Sequence, residues 1–349
     1  MKGNKPSNVF IYGRCGTGKT VVTRMVGKEL ENVSKDKNKE LKVVYVNCKM
    51  KRVADTEYRI LATLLKEFGK EVPFTGLPTD QIYNTFFEVI DSKRQDIIII
   101  LDEVDSLIYK VGDELLYNLI RANQELKNAK ITIVGITNDL NLIENLDPRV
   151  KSSLGEEELV FPPYNALQLQ DILRNRAELA FISGALEEGV IEKCAALAAQ
   201  EHGDARKALD LLRVAGELSE RDGSKKITLR HVDIAEEKID LDRVMEVVKA
   251  QPKQSQAVLY SILELFDKNK KEIQTGEALD KYSEVCQKYG LKVLTQRRVS
   301  DLISELDLFG IINTKIISKG RYGRTRIITI SLPDVVQKRL KSFLCQIFL

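Results

Sequence analysis

The sequence is poor in the residue types that build metal centres and disulfide frameworks. Its 349 residues include only two histidines, His202 and His231, and five cysteines, none of them in a Cys-x-x-Cys pair. So few ligands argue against a zinc site. An odd number of scattered cysteines is typical of free thiols in a reducing compartment rather than of a disulfide-stabilised secreted domain.

Long hydrophobic runs are also missing. A membrane-spanning helix needs about 20 consecutive apolar residues, whereas no run of apolar residues in this sequence exceeds six. The first six residues, Met-Lys-Gly-Asn-Lys-Pro, lack the apolar segment of a secretory signal. We therefore expect a cytoplasmic protein with no membrane partner.

Positive charge is concentrated in the C-terminal third of the chain. From Met245 to Leu349 there are 18 Lys or Arg residues against 11 Asp or Glu, although the whole chain carries 54 against 51. A basic segment attached to a mildly acidic body indicates that an anionic partner binds the C-terminal third.

The first ~160 residues alternate strand-like and helix-like runs, which predicts a parallel α/β sheet. The strand-like runs are rich in Ile and Val, as expected for strands buried on both faces; they span residues 8–13, 42–47, 97–102, 131–136 and 158–161. Residues 54–95 have the pattern of two helices. Since one crossover helix would suffice there, we interpret this stretch as an insertion.

The strand pattern stops at Asn165, and the residues up to 244 have the apolar spacing of a small helical bundle. From residue 245 onward, helices are followed by two strand-like runs around the turn Lys-Gly-Arg-Tyr-Gly-Arg. Helices followed by a basic hairpin are typical of a winged helix-turn-helix. The predicted domains are therefore residues 1–164, 165–244 and 245–349.

Residues 13–20 match the phosphate-loop pattern G-x-x-x-x-G-K-[ST] between a predicted strand and a predicted helix. Backbone N–H groups and the helix N-terminus would surround phosphate oxygens. Lys19 would reach the β- and γ-phosphates, and the Thr20 hydroxyl would bind magnesium. The predicted cofactors are ATP or ADP with Mg²⁺, and the predicted nucleotide-binding residues of this segment are Gly13, Arg14, Cys15, Gly16, Thr17, Gly18, Lys19, Thr20 and Val21.

Polar side chains follow the third and fourth predicted strands. Asp102 is expected to bind the metal together with Thr20, and Glu103 to orient or deprotonate the attacking water. Asn138 is suited to lie between the γ-phosphate and that water, although a simple turn after a strand also favours Asn and Asp. We interpret Asp105 as a helix cap.

The chain resembles an AAA+ ATPase in the segments GRCGTGKT, LDEVD, TND, LDPRVKSSL, FPPYNA and EHGDARKALDLLR. More closely, it resembles the archaeal replication initiators related to the eukaryotic origin recognition complex, which share the insertion at 54–95 and the C-terminal segments LTQRRVSDLISELDLFGI and GRYGRTR. The resemblance covers essentially the whole chain. It implies an α/β fold: an AAA+ parallel-sheet phosphate-loop domain with a helical lid, followed by a C-terminal winged-helix domain.

The resemblance also implies roles that composition could not indicate. Arg149 resembles the arginine finger, which acts on ATP held by a neighbouring subunit. Arg206 resembles the sensor-2 arginine, which reaches the γ-phosphate from the lid. Asn138 resembles sensor 1, and Tyr164 falls in the hinge near the adenine. Nucleotide state in this family acts as a conformational switch with slow hydrolysis.

One departure from the family pattern concerns the adenine. The family usually carries a segment before the first strand that packs against the base, whereas residues 1–7 alone precede that strand in this sequence. The resemblance then implies a shortened chain, a different start or a loosely held base.

Basic residues also cluster from Leu291 to Ile330, where eight basic residues stand against three acidic ones. The N-terminal end of a recognition helix contacts DNA bases, and a basic hairpin tip can reach the minor groove or the phosphates. Thr295 is expected to cap this helix. The predicted DNA-binding residues are Thr295, Gln296, Arg297, Arg298, Ser300, Lys319, Arg321, Tyr322, Arg324 and Arg326. The alternatives are a solvated basic hairpin and a winged helix that contacts protein.

The leading hypothesis is a nucleoid-associated initiator that binds double-stranded origin DNA. It would use ATP to remodel the origin or to recruit the replicative helicase, with paralogous initiator subunits as further partners. One alternative is a non-hydrolysing DNA-binding paralogue that regulates another initiator. The other is a different AAA+ DNA motor or a clamp loader, although clamp loaders usually carry a collar domain and branch-migration motors lack the two-helix insertion.

Overall fold

The computed structural model of the chain describes residues 7–50, 56–73, 76–154, 157–266, 272–318, 324–330 and 332–348. They form two compact units, Met1–Val232 and Asp233–Leu349, and each unit has its own hydrophobic core. In the described part of the chain, no helix is both long enough and apolar enough to cross a membrane. The three-domain boundaries at 164/165 and 244/245 stay predictions.

The first unit contains a five-stranded sheet whose strands all run parallel. The strands are β1 (Val9–Gly13), β2 (Leu41–Asn47), β3 (Gln95–Asp102), β4 (Ala129–Thr137) and β5 (Glu157–Phe161). All five strands predicted from the sequence are confirmed. The spatial order is β2-β3-β4-β1-β5, so β1 lies between β4 and β5, the last two strands of this sheet along the chain. In open parallel sheets ligands bind at the carboxyl ends of the strands, which here include Gly13, Asp102 and Thr137.

Helices cover both faces of this sheet. Alternate residues of β3 face opposite sides: Ile97 and Ile99 belong to the main core, whereas Ile100 packs in a smaller cluster. Gly27 of the first helix lies against that smaller cluster. The helices that accompany the sheet are α1 (Lys19–Asp36), α2 (Glu57–Glu67), α3 (Thr79–Ile90), α4 (Val104–Val111), α5 (Glu114–Arg121) and α6 (Pro148–Leu154). The two helices predicted within residues 54–95 are thus confirmed as α2 and α3, and both contribute buried residues to the main core.

The helical bundle predicted after Asn165 is confirmed. Its helices are α7 (Ala166–Ala180), α8 (Val190–Gln200), α9 (Ala205–Arg221) and the start of α10 (Leu229–Ala250), a helix that continues into the second unit. Two of them, α7 and α9, begin with side-chain caps. Asn165 and Gln168 form a reciprocal capping box at the start of α7. Asp204 caps α9 by accepting the backbone N–H of Arg206 at 2.8 Å. Such caps satisfy N–H groups that have no partner within the helix.

The second unit has the winged-helix arrangement that the sequence predicts. Its elements are α11 (Lys253–Phe266), β6 (Ile273–Gln274), α12 (Thr275–Lys288), α13 (Gln296–Leu308), β7 (Ile312–Ser318), β8 (Arg324–Ile330) and α14 (Asp334–Phe348). The three strands form an antiparallel sheet in the order β6-β8-β7. The apolar face of α13 is buried as expected. The two-residue strand β6 was not predicted, because two residues carry no periodicity.

A glycine at the centre of the large sheet sets a steric limit. Gly135 of β4 pairs with Phe10 of β1, and a Cβ added to Gly135 would lie 2.5 Å from the Phe10 ring. Phe10 is fully buried, so its ring has little room to retreat. We expect Gly135→Ala to lower the free energy of unfolding of the first unit by about 1–3 kcal/mol, measured by urea unfolding.

The matched control is Gly276→Ala in α12, where no heavy atom lies within 4 Å of an added Cβ. Alanine favours a helix relative to glycine, so this variant should be as stable as the wild type or slightly more stable. An unchanged unfolding midpoint for Gly135→Ala would show that the sheet accommodates the methyl group.

Candidate nucleotide site and basic helix

The phosphate loop forms the turn between β1 and α1. Gly16 has φ 77° and Gly18 has φ 83°, in the left-handed region where residues with a Cβ are strained. Gly18 occupies the N-cap position of α1. Because the first N–H groups of a helix have no partner within the helix, the start of α1 is suited to bind an anion. The turn and its helix have the geometry that the sequence predicts.

Lys19 joins the phosphate loop to the end of β4. Its Nζ donates to the carbonyl oxygens of Gly13 and Arg14, each at 2.7 Å, and to Oδ1 of Asn138 at 2.9 Å. The side chain is buried. Burial lowers the pKa of Lys19, while electrostatic interactions with Cys15, Asp102 and Asp105 act in the opposite direction. The structure therefore brings together two residues, Lys19 and Asn138, that are 119 positions apart in the sequence.

Asp102 lies buried at the end of β3 and accepts three hydrogen bonds from neutral donors. Thr20 Oγ1 donates to its Oδ2 at 2.8 Å, and Tyr45 Oη donates to the same oxygen at 2.7 Å. The backbone N–H of Glu103 donates to Oδ1 at 3.0 Å. A hydroxyl and a carboxylate held together are oxygen ligands of the type that Mg²⁺ prefers, so the predicted pair of Thr20 and Asp102 fits that ion.

Tyr45 is a site residue that the sequence did not indicate. Burial, followed by the hydrogen bond to Asp102, raises the pKa of Tyr45 to about 12. The residue belongs to a strand whose alternating pattern says only that it faces one side of the sheet. Its contact with Asp102 follows from the pairing of β2 with β3.

Glu103 directly follows Asp102 and has a strained backbone. Its φ of 53° lies in the left-handed region, which non-glycine residues rarely adopt outside functional or tightly held positions. Lys49 Nζ lies 3.7 Å from Oε1. The other carboxylate oxygen, Oε2, is buried and has no hydrogen-bond partner within the described part of the structure. An unsatisfied buried acceptor of this kind is suited to hold a water molecule.

The prediction that Asp105 caps a helix is wrong. The helix α4 begins at Val104, so Glu103 takes the N-cap position and Asp105 falls within the first turn. Instead, Asp105 Oδ1 accepts a hydrogen bond from Thr137 Oγ1 at 3.0 Å, and Thr137 in turn accepts the N–H of Asp139 at 3.0 Å. These bonds fix the backbone on both sides of Asn138.

The helical bundle closes one side of the cleft above the phosphate loop. Arg206 Nη1 donates to Sγ of Cys15 at 3.4 Å, and the Tyr164 hydroxyl lies where a Cβ on Gly18 would be 2.5 Å away. The residues that line the cleft are Cys15, Gly16, Thr17, Gly18, Lys19, Thr20, Val21, Val22, Asp102, Glu103, Asn138, Tyr164, Ile172, Arg176, Ala205, Arg206 and Leu209.

The sequence analysis missed five of these lining residues: Val22, Ile172, Arg176, Ala205 and Leu209. Ile172 and Arg176 are four positions apart on α7 and so lie on one helix face. That spacing is shared by every amphipathic helix, so it does not distinguish a ligand-facing residue from a core residue.

Arg149 lies near the start of α6. Its guanidinium makes two hydrogen bonds to Asp147, at 3.0 and 2.9 Å, and lies 5.2 Å from the centre of the Tyr117 ring. The pairing holds the pKa of Asp147 down at about 2 and raises the pKa of Arg149. Arg149 is exposed and is not among the residues that line the cleft of its own chain.

The basic helix of the second unit is α13. Thr295 is its N-cap, as predicted, and Thr295 Oγ1 accepts the N–H of Arg298. Gln296, Arg297 and Arg298 are exposed in the first turn. Arg298 Nη1 lies 3.8 Å from carboxylate oxygens of two acidic residues further along the helix. The exposed N-terminal turn of α13 therefore carries the polar side chains that were predicted for a recognition helix.

Arg326 links the wing sheet to this helix. Its Nη1 donates to Ser304 Oγ at 2.7 Å and to the Ser300 carbonyl at 3.4 Å. Arg326 is half-buried, so it braces β8 against α13. Of the remaining predicted DNA-binding residues, Lys319, Arg321 and Tyr322 lie outside the described residues, and only the backbone of Arg324 is described.

Comparison with protein families defines the class of this chain. It matches the AAA domain over residues 3–143, the Cdc6 AAA+ ATPase-type lid domain over residues 170–237 and the CDC6 C-terminal winged-helix domain over residues 246–337. The chain is thus an AAA+ ATPase-type protein with a C-terminal winged helix, in agreement with the α/β sheet, the helical bundle and the second unit described above.

Close relatives narrow this class to one family. The chain is 56% identical over 335 residues to the ORC1-type DNA replication protein 1 of Methanosarcina mazei, covering 95% of this chain and 80% of that protein. It is 54% identical over 336 residues to the ORC1-type DNA replication protein of Pyrococcus abyssi, with the same coverage. The chain belongs to the family of ORC1-type DNA replication proteins.

Solved structures agree with this assignment. The Aeropyrum pernix ORC1 protein in complex with DNA has 44% sequence identity and a TM-score of 0.76, covering 99% of this chain and 90% of that chain. The ADP form of the Aeropyrum pernix ORC2 protein, at 22% identity and a TM-score of 0.59, has the same fold.

Proposed function

We propose that this protein is an ATP-dependent initiator of DNA replication that binds double-stranded origin DNA and uses ATP binding, followed by slow hydrolysis, as a switch. The observation that carries the proposal is the meeting of Lys19, the Thr20–Asp102 pair and Asn138 in one cleft. That set has the chemistry needed to bind a triphosphate with its metal ion. The switch would act on origin remodelling or on recruitment of the replicative helicase, together with paralogous initiator subunits.

The first step is nucleotide binding. The loop Gly13–Val21 would surround the phosphates, Thr20 and Asp102 would hold Mg²⁺, and Tyr164 would lie near the adenine. Bound Mg²⁺ would neutralise phosphate charge. From the bundle, Arg206 would reach the γ-phosphate, because it already lies beside the phosphate loop at Cys15.

The second step is hydrolysis. Glu103 is the group best suited to accept a proton from water. It directly follows Asp102 in the chain, and its buried Oε2 has no hydrogen-bond partner in the described residues. Asn138, held by Lys19, would orient the water or the γ-phosphate. Arg149 would act on the site of a neighbouring subunit, which agrees with its place away from the cleft of its own chain.

DNA binding would use the second unit. A relative with 44% identity, the Aeropyrum pernix ORC1 protein, was solved in complex with DNA. In this chain the exposed first turn of α13 offers Gln296, Arg297 and Arg298 to base edges or phosphates, with Thr295 and Ser300 beside them. The wing would add contacts from Lys319, Arg321, Tyr322 and Arg324, while Arg326 would hold the wing and the helix together.

Salt dependence tests the role of α13. Each phosphate contact releases counterions, so log affinity falls with log salt concentration by ~0.9 per contact. Arg297→Ala is therefore expected to reduce this slope by about 0.9 if Arg297 binds a phosphate, measured by fluorescence anisotropy on duplex DNA across a salt series.

The control is Lys253→Ala at the start of α11, outside the predicted DNA-binding set, which should leave the slope as it is. An unchanged slope for Arg297→Ala would show that Arg297 makes no phosphate contact. Removing Arg321 and Arg324 together should flatten the slope further, and failure to do so would count against the wing.

Footprinting on DNA that contains a replication origin tests the proposal as a whole. The wild type should protect specific sites, and Lys19→Ala should change that protection. Absence of sequence-selective protection would overturn the initiator assignment. Protection without any ATP turnover would favour the alternative of a non-hydrolysing paralogue that regulates another initiator.

A further inference from the structure

Three hydrogen bonds join the phosphate loop to the start of α9. They link successive residues of the loop to residues that flank the helix start, over about 190 positions of sequence. We name this set the loop–lid latch, and its pairs are Arg14 with His202 (3.1 Å), Cys15 with Arg206 (3.4 Å) and Gly16 with Ala205 (3.2 Å).

Packing at Gly16 shows how closely the two segments approach. A Cβ on Gly16 would lie 1.7 Å from Oδ1 of Asp204, so the Asp204 carboxylate occupies the space that a side chain would need. The same carboxylate oxygen caps α9 through the N–H of Arg206. The helix that carries Arg206 therefore begins in direct contact with the phosphate loop.

His202 has an unusual backbone conformation for its residue type. Its φ is 99°, and the next residue, Gly203, has φ 67°. A Cβ on Gly203 would lie 2.3 Å from the carbonyl oxygen of Tyr164, which explains the glycine. No such steric reason requires histidine at 202, where glycine would be less strained. A strained residue beside a candidate ligand site points to a function for its side chain.

The chemistry of the contact between Arg14 and His202 fixes which group donates the hydrogen bond. A guanidinium can only donate hydrogen bonds, so His202 Nδ1 is the acceptor in this contact. Arg14 uses its backbone at the same time, since its carbonyl oxygen accepts from Lys19 Nζ at 2.7 Å. The carbonyl of Arg14 thus contacts the ammonium of Lys19, while the side chain of Arg14 contacts the helical bundle.

We propose that Arg14 and His202 are positioning residues that transmit the state of the phosphate loop to Arg206. With the latch intact, the loop and the start of α9 would move together. The position of Arg206 would then depend on whether the loop holds a γ-phosphate. The latch would thereby set the preference of the site for ATP over ADP. This inference rests on the proposed function, in which Arg206 reaches the γ-phosphate.

A double-mutant cycle on the full chain tests the latch. The variants are Arg14→Ala, His202→Gly and the double mutant, with ADP and a non-hydrolysable ATP analogue titrated by calorimetry in the presence of Mg²⁺. Each single variant should reduce the ratio of ATP-analogue affinity to ADP affinity by roughly three- to tenfold, and the double mutant should be no worse than either. His202→Gly removes the side chain without adding backbone strain.

Hydrogen exchange gives a second measurement that does not depend on nucleotide. The N–H of Ala205 donates to the Gly16 carbonyl, so this amide should exchange faster in Arg14→Ala and in His202→Gly than in the wild type. His202→Asn tolerates a positive φ and keeps a carbonyl acceptor, and Arg14→Lys keeps a donor. Both conservative variants should recover part of the preference.

Additive effects in the cycle, or an unchanged nucleotide preference, would overturn the latch. Unchanged exchange at Ala205 would do so as well. The variant Arg206→Ala distinguishes this failure from failure of the proposed function. If Arg206→Ala loses the preference while Arg14→Ala and His202→Gly keep it, only the latch is wrong. If the wild type binds neither nucleotide, the proposed function fails and the latch fails with it.

Discussion

Replacement of Lys19 by alanine is expected to weaken ATP binding by roughly 30- to 3,000-fold. Loss of one partner from a buried charge contact costs about 2–5 kcal/mol, and each 1.4 kcal/mol corresponds to a factor of ten. Lys19 is buried and directs its ammonium at the carbonyls of Gly13 and Arg14 and at Asn138. No other lysine is among the described residues that line the cleft, so none can replace it. Titration calorimetry with ATP and Mg²⁺ measures the effect.

The matched control is Lys35→Ala, in the last turn of the same helix. Lys35 is exposed, so its removal should leave ATP affinity and the fold unchanged. A Lys19→Ala variant that binds ATP as tightly as the wild type would move the phosphate site away from this loop. In the footprinting experiment the same variant shows whether nucleotide binding controls DNA binding.

Glu103→Gln is expected to lower ATP turnover by about 10²–10⁴-fold while ATP affinity is maintained. The amide keeps the size of the carboxylate and can still accept a hydrogen bond, but it cannot take a proton from water. The position of Glu103 favours this role, since it follows the metal-binding candidate Asp102 and holds a buried oxygen without a partner in the described residues. Release of phosphate at saturating ATP measures the effect.

Glu40→Gln serves as the control for this experiment. Glu40 forms an exposed ion pair with Lys93 and is not among the residues that line the cleft, so turnover should not change. If Glu103→Gln hydrolyses ATP at the wild-type rate, another group acts as the base. If the wild type itself shows no turnover, the site binds ATP as a ligand, and the non-hydrolysing alternative is favoured.

The parts of the site that could be predicted from sequence are those with local information. The phosphate loop needs glycines, Lys19 and Thr20 at fixed spacing between a strand and a helix, and the structure has that arrangement. Asp102 and Asn138 could be predicted because the carboxyl ends of parallel strands lie at one edge of the sheet. The cap at Thr295 is local as well, since it depends on residues within one helical turn.

The predictions that failed depended on contacts between distant segments. Asp105 has a residue type that caps helices, but the left-handed backbone at Glu103 starts α4 two residues earlier than a cap at Asp105 would. The carboxylate of Asp105 is then free to accept from Thr137, which lies 32 positions away. A helix boundary that shifts by two residues changes the role of the expected cap residue completely, and no local propensity resolves such a shift.

Other features had no sequence pattern from which to infer them. The bond from Tyr45 to Asp102 depends on the register of two strands. The bond from Arg326 to Ser304 depends on how β8 packs against α13. Arg326 was predicted from its charge to contact DNA, whereas its partners in the structure show that its side chain also holds two elements together.

The amino-acid sequence by itself determined the parallel α/β sheet, the phosphate loop and the winged-helix pattern, because strand periodicity, helix capping and the phosphate-binding turn depend on residues that are close together in the chain. Only the tertiary structure decided which side chains meet across the cleft. Contacts such as Arg14 with His202, 188 positions apart, arise from the packing of whole elements, and a single pair of residue types carries no information about that packing.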